Sequence, residues 1–161
     1  MVVRKVKMLI GSALLVIIMC APAQACFGPK LFVGVGQSPN EQALFALITL
    51  YVLEKTGVDS KRIDIEAEQD PLVLLSENKL DLVFIPSDSF DNPVFKIAGM
   101  PLLAAGKRPL QELQFTTVLP AIRKLNNLLK QGDVEGLVSR IESGESAMSA
   151  ARNFLMELRW I

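Results

Sequence analysis

The sequence predicts an α/β domain: a small, mostly parallel sheet of three to four strands with flanking helices, followed by a helical C-terminal part. Three observations carry this. Strand-like runs at Leu31–Val35, Arg62–Glu66 and Leu80–Ile85 alternate with helical segments within about 55 residues. Such a βαβαβ order, with right-handed crossovers, leads to a parallel sheet covered by helices. After Pro109 the apolar residues recur only at helical spacing.

The chain opens with export chemistry. Arg4, Lys5 and Lys7 form a basic start, and Met8 to Ala21 is an apolar run of 14 residues. That length suits a signal-peptide core and falls short of the roughly twenty residues of a spanning helix. Pro22 breaks the run, and Ala23-Gln24-Ala25 has the small-x-small form of a cleavage site. Residues 1–25 are therefore expected to be a signal peptide, and the remainder periplasmic or secreted. Cleavage would leave Cys26 first. Two readings follow: a plain secreted protein with a free thiol, or a lipoprotein anchored to a membrane through a lipidated Cys26.

The 136 residues left are enough for one domain with one core. Half of the whole chain is hydrophobic, which excludes a disordered protein. Without residues 1–25 the charges are 14 basic against 17 acidic, with no basic stripe. Nucleic acid is thus not an expected partner. Cys20 leaves with the signal, so Cys26 has no intramolecular partner. The chain has no histidine. That excludes Ser-His and Cys-His catalysis and removes the commonest metal ligand. No cofactor, no metal site and no enzyme activity are expected.

The elements follow in order. Leu31–Val35 reads as a strand closed by Gly36. Ser38 is an N-cap, Pro39 suits the first helical position, and Glu41 completes the spacing of a capping box. This helix runs to about Lys55 and ends at Gly57. It is apolar nearly all round from Ala43 to Leu53, so it should be buried on more than one side. Arg62–Glu66 alternates, with Ile63 and Ile65 on one face, as expected of a strand near an edge. Asp70 and Pro71 open a short helix through Asn78. Leu80–Ile85 is apolar after Asp81, as in a central parallel strand. Val94–Ala98 is a candidate fourth strand, and Gly99–Pro109, with two Pro and two Gly, a loop. Two helical stripes come next: Val118, Leu119, Ile122, Leu125 and Leu129, then Val134, Leu137, Val138 and Ile141. Ser146 starts a last helix with Ala147, Ala151, Leu155 and Leu158 inward, and Trp160 is expected to cover the edge of the core.

Ligands of open parallel sheets bind beyond the carboxyl ends of the strands. Gly36–Gln42, Glu68–Asp70 and Pro86–Asp88 are expected there. Gly36 permits close backbone approach, a helix N-terminus follows it, and Gln37, Ser38, Asn40, Glu41 and Gln42 add polar side chains. The same residues also describe a helix cap with no ligand. Ser87, Asp88 and Asp91 read either as a cation-receiving cluster or as turn chemistry between Pro86 and Pro93. Phe90 is the one Phe in a predicted loop, thin material for an aromatic cage.

Leu31–Pro86 resembles the first lobe of type II periplasmic solute-binding proteins, most of all the glycine betaine, choline and osmoprotectant-binding subunits of ABC transporters. The likeness rests on Asn40-Glu41-Gln42 opening a long apolar helix, on Asn78-Lys79-Leu80-Asp81-Leu82 before the third strand, and on Ala151-Arg152 with Phe154-Leu155 in the last helix. The resemblance implies one lobe of that fold over 26–161, α/β over 31–98 and helical over 109–158. It implies binding of a small polar solute, quaternary ammonium or amino-acid-like, for ABC-type uptake or sensing. The ligand residues would be Gln37, Ser38, Asn40, Glu41, Gln42, Pro86 and Ser87.

The chain departs from that family in two places. A second lobe, on the order of a hundred residues, is replaced by Ser87–Asn92, and Ile85-Pro86-Ser87-Asp88 stands where a tyrosine-bearing segment is expected. At most half of a two-lobe site is present. Solute binding should then be weak unless a homodimer closes two half-sites. The alternative is a single-lobe interaction protein of an envelope complex that has lost solute binding. On that reading Phe90, Val94, Met100, Pro101, Leu102 and Leu103 form an exposed apolar face for a partner.

Overall fold

The computed structural model describes residues 29–86 and 90–161. The expected signal peptide, Cys26, Ser87 and Asp88 lie outside the described residues. The order is β1 (Lys30–Val35), α1 (Pro39–Thr56), β2 (Asp59–Asp64), α2 (Pro71–Ser76), β3 (Leu82–Ile85), β4 (Leu102–Ala105) and α3 (Lys107–Gln111), then a 3₁₀ turn (Leu113–Phe115) and the helices α4 (Val118–Leu128), α5 (Gln131–Glu142) and α6 (Ala147–Glu157). The sheet order is β2-β1-β3-β4. β1 is parallel to β2 and to β3, and β4 is antiparallel to β3. The fold is the expected α/β class, with a mostly parallel sheet and a helical C-terminal part.

α1 explains the layering. Ser38 Oγ accepts the N–H of Glu41, Pro39 starts the helix, and Gly57 ends it at φ 72°, its N–H donating to the Leu53 carbonyl at 2.9 Å. A side chain with a Cβ is strained at that φ, which is why glycine closes the helix. Ala43, Leu44 and every residue from Ala46 to Val52 are buried. One side of α1 lies on β1 and β2, and the other packs against α4, α5 and α6. The helix is apolar all round because it is the middle layer. Thr49 is its polar exception, a buried hydroxyl with no hydrogen-bond partner among the described residues.

The two faces of the sheet are covered unequally. Leu31, Val33, Val35, Leu82, Phe84 and Leu103 face the large core under α1. Val83, Ile85, Leu102 and Ala104 face a second, smaller core closed by Leu75 and Leu80, with Ile63, Ile65, Leu72 and Phe90 packed against it. Only the short α2 lies over this face as a helix among the described residues. Asp70 caps it by accepting the N–H of Leu72 at 2.8 Å. Gly34 belongs to this face, and a Cβ there would meet Ile65, Leu80 and Val83 side chains at 2.7–2.9 Å.

Several expectations are corrected. β2 begins at Asp59 rather than Arg62, because all six of its residues pair with β1. It is an edge strand, as expected, and its Asp59, Lys61, Arg62 and Asp64 discourage pairing with another chain. Val94–Ala98 is no strand; it contributes one isolated bridge, Phe95 to Leu103. The fourth strand lies inside the stretch expected to be a loop. Gly99 at φ 72° and Pro101 precede it and Gly106 follows it, so the breakers bracket Leu102–Ala105 without entering it. The expected exposed apolar face is absent. Val94, Met100, Leu102 and Leu103 are buried, while Phe90 and Pro101 are half-buried. Leu158, expected inward, is 43% exposed, because α6 ends at Glu157. Trp160 does cover the core edge, packing edge-on against Phe154 with ring centres 5.8 Å apart.

Candidate functional site

The chain leaves β1 for β2 on one side and β3 on the other, so the order reverses between β1 and β3. At such a switch point the connections part and leave a crevice beyond the strand ends. A depression of about 320 Å³ lies there. Gly36 and Gln37 after β1, Ile65 and Glu66 after β2, and Pro86 after β3 surround it, with Glu41 of α1 and Gln69.

Three of the sequence-predicted residues meet here: Gln37, Glu41 and Pro86. The others do not line the depression. Ser38 is occupied as the N-cap, Gln42 Nε2 donates to the Gln37 carbonyl at 3.2 Å, and Asn40 lies half-buried in the first turn of α1. Ser87 lies outside the described residues. Of the expected second segment, Gln69 reaches the depression and its Oε1 accepts the N–H of Glu66 at 3.1 Å, while Asp70 is spent on capping α2.

Glu41 is the chemical centre. In a capping box its carboxylate would turn back to the N-cap N–H. Here it reaches further and accepts the N–H of Gly36, the residue that ends β1. A Cβ on residue 36 would meet Glu41 Oε2 at 2.7 Å, so glycine is what permits the contact. Burial pushes the Glu41 carboxyl above its ordinary value of 4.5, against the opposing pull of the Gly36 N–H, Ser38 and the Arg62 charge. The site thus holds a half-buried acid of raised pKa, an exposed glutamine and a second carboxylate, Glu66, on an open rim. Such a surface can hydrogen-bond a small polar molecule from one side. Sequence reasoning missed Glu66, which lies in the segment expected to be strand and stands just beyond the observed end of β2.

A second feature carried no sequence signal as a site. Asp81 is 1% exposed, accepts the N–H of Phe32 at 2.8 Å and pairs with Arg108 at 3.0 Å. The Arg108 guanidinium also lies 5.2 Å from the Phe115 ring centre and 5.8 Å from that of Phe32. Burial raises the Asp81 carboxyl, with the Phe32 N–H and Arg108 opposing. This pair sits where β3 begins, at the sheet end opposite the depression, and ties α3 to the sheet. It is a structural tie.

Among the described residues no group of three or more Cys, Asp or Glu side chains could hold a metal ion, and no helix is long and apolar enough to cross a membrane. Asp91 is exposed, and Phe90 packs on the second core. No protein-family model matches the chain, and neither does any curated protein or solved structure.

Proposed function

We propose that this protein is an exported, solute-binding-protein-like lobe that holds a small polar solute, quaternary ammonium or amino-acid-like, for uptake or sensing. The observation that carries the reading is the convergence of Gln37, Glu41 and Pro86 on one depression at the β1/β3 switch point. The basic start, apolar run and Ala-x-Ala site of residues 1–25 support export. The likeness of Asn40-Glu41-Gln42 and of the Asn78–Leu82 segment to the solute-binding family supports the solute class.

The depression is open on one side, so affinity is expected on the order of 0.1–1 mM, about 4–5.5 kcal/mol. Val94, Met100, Leu102 and Leu103, expected to form an exposed apolar face for a partner, are buried, which favours the solute reading over a single-lobe interaction protein. A thermal-shift panel with glycine betaine, choline, carnitine and the common amino acids at 10 mM tests the reading. A ligand of that affinity stabilises by roughly 1.4–2.7 kcal/mol, a rise of several degrees in Tm. No rise with any member of the panel would contradict it.

A further inference from the structure

A second cavity, of about 260 Å³, lies between the segment Pro93–Lys96 and one face of α4. Val94 and Phe95 are buried at its base. Its polar wall is Lys96, Arg123, Asn126 and Asn127. Arg123, Asn126 and Asn127 stand at i, i+3 and i+4 in α4, so they share one side of the helix.

The chemistry of this wall is one-sided. Asn126 Oδ1 accepts the backbone N–H of Lys96 at 2.6 Å. An N–H can only be answered by the amide oxygen, which fixes the side chain and leaves its NH₂ group to donate elsewhere. Lys96 and Arg123 have no ion-pair partner among the described residues. Among the described residues no carboxylate lines the cavity. The depression at the strand ends, by contrast, has Glu41 and Glu66, and the one beside Arg108 has Glu112. Two cations and an oriented amide donor around one hollow match an acceptor-only ligand. The planar fork of Arg123 suits two oxygens of a carboxylate or a phosphate.

We propose that this cavity binds a small oxyanion, a carboxylate or a phosphate, at a site separate from the depression at the strand ends. The volume accommodates an inorganic phosphate or the acid end of a larger molecule, and the open mouth leaves the rest of such a molecule in solvent. The site does not depend on the solute reading, since it shares no residue with that depression.

The test is a titration of the full chain with sodium phosphate and, separately, sodium acetate, followed by backbone amide shifts. Sodium chloride at matched ionic strength is the reference. The expected result is saturable shifts at residues 94–96 and 123–127 with at least one of the two oxyanions, and the preferred one tells phosphate from carboxylate. Arg123→Gln should weaken that binding at least fivefold. Lys61→Gln, on the edge strand β2, should leave it unchanged. Arg123 is exposed, and an unaltered melting curve confirms that its variant folds. Shifts equal to those in chloride, or an Arg123→Gln variant that binds as the parent does, would overturn the proposal.

Discussion

Phe32 and Asp81 exchange two hydrogen bonds across the first and third strands. The N–H of Phe32 donates to the Asp81 carboxylate, and the N–H of Asp81 donates to the Phe32 carbonyl, each at 2.8 Å. The side chain of Asp81 therefore extends the β1–β3 ladder beyond its last backbone pair. Arg108 neutralises it from α3. Asp81→Ala is predicted to leave a strand N–H and a half-sheltered guanidinium without this partner, at about 2–3 kcal/mol. Asp81→Asn keeps an acceptor for Phe32 and should cost about half as much. Urea melts of the two variants check the order.

Gly34 has side chains close on three sides, from Ile65, Leu80 and Val83. Gly34→Ala is predicted to destabilise by about 1–3 kcal/mol, because a methyl must displace packed atoms on the thinly covered face of the sheet. Calorimetric melting measures it. Little or no loss would mean that the second core has slack.

The hydroxyl of Thr49 is buried in the middle layer without a partner among the described residues. Thr49→Val keeps the shape and removes the unsatisfied group. It should raise stability by about 1 kcal/mol, against the usual sign for a substitution at a buried site. The same melts read it directly.

Much of this architecture was legible in the residues. Ser38-Pro39 and Gly57 mark both ends of α1, and the unbroken apolar stretch between them requires the middle-layer position it takes. The fourth strand was hidden because Gly99, Pro101, Gly106 and Pro109 signal a loop, while Leu102–Ala105 between them is too short to show a period. Gln37, Glu41 and Pro86 could be placed by the rule that ligands gather beyond strand ends. Asp81–Arg108 and the Lys96/Arg123 cavity could not. Their partners lie 27 residues apart in either case, and only the packing of α3 on the sheet, or of α4 beside Phe95, brings them together.

Glu41 and Asp81 both carry carboxyls raised by burial. A group raised in the folded state contributes stability that is full below its unfolded pKa and is lost as pH rises through the folded one. For Glu41 the window opens near its ordinary 4.5 and extends upward. Glu41→Gln removes that window while keeping an acceptor for the Gly36 N–H. Its stability should therefore fall less than the parent's between mildly acid and neutral pH. Parallel pH-dependent melts test this, and identical slopes would assign the raised carboxyl no part in stability.

The most direct test of the solute-binding account is an amide-shift titration with the panel member that raises Tm most, run on the parent and on Gly36→Ala. The added methyl would meet Glu41 Oε2 and push the carboxylate from its place at the depression. Saturable shifts are expected in the parent at residues 36–42 and 65–69, with the binding they report weakened several-fold in a Gly36→Ala protein that still melts cooperatively. No saturable shift at those residues, or equal affinity there in the two proteins, would contradict solute binding at the depression.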